Sequence, residues 1–246
     1  MDRTYRFRDL VLQHTDIETL LPGNWLNDQV IEVALAFEEE NAGEYPTVRC
    51  VPPSTSQLIL HAPDIAPSIV RDLDLVDPLA STVLLCVNNA TDLSQPLAGS
   101  HWSALVATRS ADCTMYRHYD SIGTNNLVAE ELASVLSTCD GFPGKPKVFH
   151  DRSFNGGYRT RPTCVRTPVR SDSLALCAAC FVHSQGRQTN SCDCGVFLLA
   201  VARAHMTGKS QNGEDAAFAV QRRLDGIDQN FVGGLREELL RRVTTD

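Results

Sequence analysis

The sequence lacks any segment suited to entering or crossing a membrane. Its 246 residues contain no run approaching the roughly 18 consecutive apolar residues of a membrane-spanning helix. The first six residues, MDRTYR, do not lead into the apolar stretch of a secretory signal peptide. We therefore expect a soluble, intracellular protein that resides in the cytoplasm, the nucleus or both.

An excess of positive charge is missing as well. The chain has 22 Lys and Arg against 30 Asp and Glu, which gives a net charge of -8. Binding to nucleic acid or to an anionic membrane requires a basic patch, so the charge balance disfavours both partners. We expect a protein partner with a basic surface.

The nine cysteines lack the regular spacing of a disulfide framework. An odd count without a signal peptide favours free thiols. Cys177 and Cys180 have the C-x-x-C spacing of half a zinc site. The other two ligands would have to be Cys192 and Cys194, which are separated by one residue and so have the wrong spacing. We expect neither a metal nor a cofactor.

Length and a hydrophobic content of 43% allow one domain with a substantial core, so we expect a single domain over residues 1–246. Asp16 is predicted to cap a short turn before Pro22. Asn27 is predicted to cap a buried helix at about 28–40, with Gly43 just past its end. A second helix is predicted at 55–61, interrupted by Pro63, and the apolar run 82–88 predicts a buried strand.

Two later segments, HWSALVATR and TMYRHYD, predict an antiparallel hairpin. A two-residue turn at Ser110 and Ala111 would place His101 directly opposite Asp120. Opposed residues have Cβ atoms about 4.5 to 5.5 Å apart, so the carboxylate could accept a hydrogen bond from the imidazole. A register slip of one residue would place the two side chains on opposite faces.

The stretch QTNSCDCGVFLLA raises four alternatives for its two thiols: a metal clip, half of a disulfide framework, buried filler, or an activated nucleophile. The run from Gly195 to Met206 predicts a buried helix, with Cys194 at its N-terminus. Unpaired N–H groups and the helix dipole favour a thiolate there. An imidazole from His101, oriented by Asp120, would complete the activation, and Cys192 is interpreted as filler or a redox liability.

Four motifs in order, WLND at 25–28, HWS at 101–103, YDS at 119–121 and QTNSCDCG at 188–195, resemble those of the ubiquitin-like protease and sentrin-specific protease (Ulp/SENP) family of cysteine peptidases. The segments LLPGNWLNDQVIEVAL, DLDLVDPLASTVLLCVNN and GSHWSALV resemble most closely its deneddylase branch, which cleaves the modifier NEDD8. The resemblance implies an α+β, papain-like fold with a mixed central sheet flanked by helices.

The resemblance also implies roles for individual residues. Cys194 would be the nucleophile, His101 the general base and acid, Asp120 its orienting carboxylate, and Gln188 an oxyanion donor. Four further residues would contact the modifier tail. These are Trp25 and Trp102, which cover a tunnel for the Gly-Gly terminus, together with Asp28 and Asn89.

The implied partners are NEDD8 and its conjugates, such as neddylated cullins, bound by a monomeric enzyme. The alternatives are a SUMO protease of the same family, a catalytically impaired modifier-binding module, and an acyltransferase on a related fold.

One segment, at about 151–187, departs from the family pattern by its length. Loops beyond about 12 to 15 residues without structure of their own are uncommon in compact domains. Three interpretations stay open: a lineage-specific surface insertion, a partner-docking loop, and a translated intron absent from the mature protein.

Overall fold

The computed structural model describes residues 4–42, 47–77, 79–90, 99–151, 188–207 and 216–245. The predicted insertion therefore lies almost entirely outside the described residues, as do Gly43, Cys177 and Cys180. The helices and strands are β1 (Tyr5–Phe7), β2 (Leu10–Leu12), α1 (His14–Glu18), α2 (Asp28–Ala42), β3 (Val48–Val51), α3 (Pro53–His61), a 3-10 helix (Pro63–Ile65), α4 (Ala66–Asp72), β4 (Thr82–Asn88), β5 (Trp102–Arg109), β6 (Thr114–Tyr119), α5 (Asn126–Leu136), β7 (Val148–Asp151), α6 (Cys194–Met206), α7 (Ala216–Asp225) and α8 (Gln229–Thr244).

The central sheet has the strand order β3-β4-β5-β6-β7 within the described residues. β3 runs parallel to β4 and β7 runs parallel to β6, whereas the pairs β4/β5 and β5/β6 are antiparallel. The sheet is mixed, as expected. β1 and β2 form a separate hairpin.

Helices cover both faces of the sheet because its central strands are apolar on both sides. Leu84, Cys86, Ala104 and Val106 face a core shared with α2, α6 and α8. Their sequence neighbours on β4 and β5 face a second core with α3, α4 and α5. α6 is buried along most of its length, so its first residue is fixed deep in the molecule.

Several predicted elements have the expected bounds. The strand at 82–88 is found as predicted, and the helix predicted at 28–40 extends to Ala42. Asn27 caps that helix, since its Oδ1 accepts from the Val30 N–H at 3.0 Å. The helix predicted from residue 55 begins instead at Pro53, because proline is well suited to the first helical position.

The prediction that Asp16 is a helix N-cap was wrong. Gln13 occupies the cap of α1, and Asp16 lies three residues further on, where its carboxylate accepts from the Gln13 N–H at 2.7 Å. This is the reverse half of a capping box. Asp16 also accepts from the Asn27 side chain at 2.7 Å, which links α1 to the start of α2.

The predicted hairpin register was wrong by two residues. Arg109 pairs with Thr114 and Ala104 pairs with Tyr119, so the turn lies at Ala111 and Asp112. Ser110 fixes it: its N–H and Oγ both donate to the Cys113 carbonyl, at 2.9 and 2.8 Å. A shift of two residues preserves the face, so His101 and Asp120 still meet, diagonally and just beyond the paired residues.

Candidate active site

Cys194 is the first residue of α6 and its side chain is 2% exposed. The chain before it is shaped by Asn190, whose Oδ1 accepts from the N–H groups of Cys192 and Asp193, both at 3.1 Å. The first helical hydrogen bond runs from the Phe197 N–H to the Asp193 carbonyl at 2.9 Å. The predicted position of Cys194 at a helix N-terminus is confirmed.

His101 and Asp120 form a buried pair, with His101 Nε2 at 2.6 Å from Asp120 Oδ1. Nδ1 of His101 is also buried and has no hydrogen-bond partner of good geometry within the described residues. The Cys194 thiol is nevertheless close enough to influence the ring. Catalytic hydrogen bonds are often poorly aligned in the absence of substrate. The geometry leaves Nδ1 as the atom available to take a proton from Cys194.

The electrostatics of this pair favour an imidazolium. Burial alone would lower the pKa of His101, but the hydrogen bond and charge of Asp120, together with the Cys194 thiol, raise it to about 9. Burial likewise opposes ionisation of Asp120, yet its contact with His101 and its backbone hydrogen bonds hold its pKa well below the usual range. The carboxylate therefore stays negative.

Backbone amides fix the Asp120 carboxylate. Oδ1 accepts from the N–H groups of Ile122 and Gly123 at 2.8 and 2.7 Å, and Oδ2 accepts from that of Asn125 at 2.9 Å. The Asn125 side chain donates to the His101 carbonyl at 3.2 Å, which ties the two catalytic candidates together a second time. Sequence reasoning missed Asn125, because its partners are distant in the chain.

Gln188 lies beside this pair and is 5% exposed. Ser121, the residue after Asp120, donates its hydroxyl to Gln188 Oε1 at 2.7 Å. Gln188 Nε2 donates to the Asn190 carbonyl at 2.6 Å and lies 3.5 Å from Asn190 Oδ1. The amide is therefore oriented by both the histidine side and the cysteine side of the site.

The two tryptophans lie in different environments. Trp25 is 48% exposed, whereas Trp102 is half-buried and its indole N–H donates to the Leu26 carbonyl at 3.0 Å. This hydrogen bond joins Trp102, the neighbour of His101, to Leu26, the neighbour of Trp25. Asp28 begins α2, half-buried, and its Oδ1 accepts from the Gln29 N–H at 3.0 Å.

Asn89 makes three hydrogen bonds within the chain, and its predicted contact with a modifier stays a prediction. Its Oδ1 accepts from the N–H groups of Ser100 and His101 at 2.7 and 3.1 Å, and its Nδ2 donates to Ser100 Oγ at 3.1 Å. Asn89 therefore joins the end of β4 to the residues directly before β5. Residues 91–98 lie outside the described part of the chain.

A buried ion pair next to Cys194 was also missed by sequence reasoning. Arg236 on α8 donates to Asp193 Oδ1 from Nε at 3.0 Å and from Nη2 at 2.7 Å. One signal could have revealed it: Arg236 shares the apolar stripe of α8 with Val232, Leu235, Leu239 and Val243. A charge on a buried helix face requires a buried partner of opposite sign.

Within the described ranges, no three His, Cys, Asp or Glu side chains cluster in a way that could hold a metal ion. The cysteines placed there, Cys50, Cys86, Cys113, Cys139, Cys192 and Cys194, are all free thiols. No helix in the part of the chain that is described has the length and apolar character needed to cross a membrane.

Comparison with known proteins places this site in a family. Sentrin-specific protease 8 of Homo sapiens is 30% identical over 206 residues, which cover 80% of this chain and 78% of that protein. The chain belongs to the Ulp/SENP family of cysteine proteases. NEDD8-specific protease 1 of Arabidopsis thaliana is 28% identical over 97% of the chain and 91% of that relative. No protein-family model matches the sequence.

Solved structures of this family have the same fold. The C-terminal Ulp1 protease domain, solved in complex with Smt3, the yeast ortholog of SUMO, has a TM-score of 0.58 at 14% identity and covers 100% of this chain and 89% of its own. A de-sumoylating protease has a TM-score of 0.56 at 13% identity, covering 98% of this chain and 90% of its own. The α+β fold implied by the sequence resemblance is confirmed, and the protein is a cysteine peptidase of the Ulp/SENP type.

Proposed function

We propose that the protein hydrolyses the bond after the C-terminal Gly-Gly of a ubiquitin-like modifier, with NEDD8 as its preferred modifier. The observation that carries this proposal is the buried Cys194 at the start of α6, beside a His101 ring whose Nε2 is bonded to Asp120 and whose Nδ1 has no hydrogen-bond partner among the described residues. The preference for NEDD8 is supported by the relatives named NEDD8-specific protease 1 and sentrin-specific protease 8.

The first chemical step would transfer the thiol proton of Cys194 to Nδ1 of His101. The thiolate would then attack the carbonyl carbon of the terminal glycine, while the imidazolium is stabilised by Asp120. The raised pKa of His101, about 9, favours the imidazolium that this transfer produces. His101 would next give its proton to the leaving lysine amine, and later accept one from the water that hydrolyses the thioester.

We assign the binding of the oxyanion to the Cys194 N–H and to the side-chain amide N–H group of Gln188. Loss of one such donor typically lowers kcat by about 10²- to 10³-fold. Ser121 and Asn190 fix the amide before substrate arrives, so little reorganisation would accompany the reaction. We assign the passage of the Gly-Gly strand to the space between Trp25 and Trp102, since only glycines are thin enough to pass between two indoles.

The proposal extends to the context of the enzyme. Residues 1–246 would form one protease domain, with the segment 151–187 inserted ahead of Gln188. We propose that NEDD8 and its conjugates, such as neddylated cullins, are its partners in the cytoplasm, the nucleus or both.

A panel of fluorogenic substrates tests the proposal. NEDD8, SUMO and ubiquitin with the same C-terminal fluorophore would be compared by kcat/KM, with the Cys194→Ser variant as control. We expect NEDD8 to be preferred by at least about tenfold. A preference for SUMO would overturn the modifier assignment, and no cleavage of any substrate would overturn the protease assignment in favour of a binding module or an acyltransferase.

A further inference from the structure

The pair formed by Asp193 and Arg236 lies directly behind the proposed nucleophile. Both residues are 5% exposed. Besides the two bonds from Arg236, the Asp193 carboxylate accepts at Oδ2 from Asn190 Nδ2 at 2.7 Å and from Gln229 Nε2 at 2.5 Å. Burial opposes the charge of Asp193, yet the hydrogen bonds from Asn190 and Arg236 hold its pKa below the usual value. The Asp193 carboxylate is therefore negative at neutral pH.

Arg236 also reaches across to the segment that precedes Trp25. Its Nη1 donates to the carbonyls of Thr19 and Leu21 at 2.9 and 3.3 Å, and its Nη2 donates to that of Asn24 at 3.0 Å. Nη2 lies 3.2 Å from the Cys192 carbonyl as well. One guanidinium therefore joins residues 19–24 to residues 192–193, which are the segments before Trp25 and before Cys194.

Leu26 makes a second set of contacts between the Trp25 segment and the residues beside Cys194 and His101. Leu26 follows Trp25, and a Cβ at Gly195 would lie 3.0 Å from the Leu26 Cβ. Because the Leu26 carbonyl also accepts from Trp102, the segment carrying Trp25 touches the neighbours of both His101 and Cys194. A small movement of residues 19–26 would change the distances from Trp25 to His101 and Cys194.

The charge of Arg236 has a separate consequence for Cys194. The unpaired N–H groups of α6 favour an anion at its first residue. An uncompensated carboxylate at Asp193, one residue earlier, would oppose a thiolate there. The guanidinium neutralises that carboxylate, and the hydrogen bonds turn both Asp193 oxygens toward Asn190, Gln229 and Arg236.

We propose that Arg236 is a positioning residue for this protease. It holds the Trp25 segment at a fixed distance from Cys194, and it neutralises Asp193 so that the thiolate can form. The inference rests on the proposed function, because the substrate strand is assumed to lie between Trp25 and Trp102. It adds to that function a residue on the C-terminal helix α8 that touches neither substrate nor reacting atoms.

Two readouts separate these effects in the full chain. One is kcat and KM with the fluorogenic modifier that the wild type cleaves, and the other is the pH–rate profile of Cys194 alkylation by iodoacetamide, followed by mass spectrometry. The variants are Arg236→Lys, Arg236→Met, Asp193→Asn and the double variant Asp193→Asn with Arg236→Met. Arg241→Met, at an exposed residue of the same helix, is the matched control.

We expect Arg236→Lys to keep the wild-type alkylation profile, because a lysine retains the charge. Its ammonium group cannot reach acceptors on both segments, so kcat/KM should fall by about 10²-fold, mainly through a higher KM. Arg236→Met should also move the alkylation profile to higher pH. The double variant should restore that profile without restoring kcat/KM, and Arg241→Met should match the wild type in both readouts.

Three outcomes would overturn the inference. The first is wild-type kcat/KM in folded Arg236→Lys and Arg236→Met. The second is an alkylation profile that Arg236→Met leaves unmoved. The third is a loss of kcat/KM that follows thermal stability alone across the set, as expected of a merely structural pair. If Arg236→Met does not fold, wild-type kcat/KM in folded Arg236→Lys is by itself enough to overturn the inference. A wild type that cleaves no modifier is a failure of the proposed function, and the alkylation profiles then test the electrostatic part by themselves.

Discussion

Each polar group of the site is held by a partner outside the reaction. Asp120 accepts three backbone N–H groups besides the imidazole, and Gln188 is held between Ser121 and Asn190. Such fixed dipoles need no reorganisation during the reaction, which is the main way a protein stabilises developing charge. The site is therefore preorganised before a substrate arrives.

The Asp120→Asn variant tests the imidazolium. The folded-state pKa of His101 is about 9, above its ordinary value of 6.5, so its pairing with Asp120 stabilises the fold fully below pH 6.5 and is lost as pH rises through about 9. The stability cost of Asp120→Asn should therefore be larger at pH 6 than at pH 10, by an amount on the order of 2 kcal/mol. Urea unfolding at the two pH values measures it.

The control for this measurement is a His101→Gln background, in which Asp120→Asn should cost the same at both pH values. A cost that does not change with pH when His101 is present would contradict a charged pair.

The two neighbouring thiols should differ in function. Cys192 is buried, and its burial and the charge of Asp193 raise its pKa, so it stays protonated at neutral pH. Cys194→Ser should abolish turnover, whereas Cys192→Ala should leave most of it. Steady-state kcat with a fluorogenic modifier checks both, and an equal loss in the two variants would show that the roles are assigned wrongly.

The local sequence predicted the positions of the proposed reacting groups better than those of the residues that hold them. The apolar run that follows Cys194 predicts its place at a helix N-terminus, and the two strands that His101 precedes and Asp120 follows predict that these two residues meet. Arg236 and Asp193 are 43 residues apart in the chain and have no local pattern that links them. The apolar stripe of residues along α8 indicates only that Arg236 is buried. Its partners become known once α8 is packed against the loop before α6.

At the scale of elements, the hairpin shows what a register prediction needs. The strand residues of β5 and β6 follow from their composition, but the register depends on where the turn lies. Ser110 Oγ donates to the Cys113 carbonyl, and this side-chain bond moves the turn one residue from the predicted place. His101 and Asp120 meet in spite of the error of two residues in the predicted register, because side chains two residues apart in a strand lie on the same face.

The start of α6 packs tightly against α2 and against Leu26, the residue before the N-cap of α2. A Cβ at Gly195 would meet the Leu26 Cβ at 3.0 Å and the Ile31 Cδ1 at 3.4 Å. Gly195→Ala should therefore lower the free energy of unfolding by about 1 to 3 kcal/mol through overpacking, and should lower kcat/KM more than stability alone explains. Chemical denaturation and steady-state kinetics measure the two effects.

The matched control is Gly234→Ala, in the interior of α8, where no described atom outside the neighbouring helix backbone lies within 4 Å of the added Cβ. It should stabilise the protein by up to about 1 kcal/mol through helix propensity and leave kcat/KM unchanged. If Gly195→Ala were as harmless as this control, the close contact with Leu26 would not constrain the site.

At the scale of the whole molecule, the fold brings together segments that are far apart in sequence. Trp25 precedes α2, His101 precedes β5, Asp120 follows β6 and Cys194 begins α6. The alternation of two apolar faces on β4 and β5 could be recognised in the sequence. The order of the strands and the pairing of β6 with β7 could not, because they depend on non-local contacts that no single segment encodes.

The most direct test of the account uses NEDD8 that carries a C-terminal electrophile, incubated with the full chain beside SUMO and ubiquitin probes of the same chemistry. We predict one covalent adduct with the NEDD8 probe, mapped by mass spectrometry to Cys194 and absent from Cys194→Ser. An adduct on Cys192, or no adduct with any probe, would contradict the account.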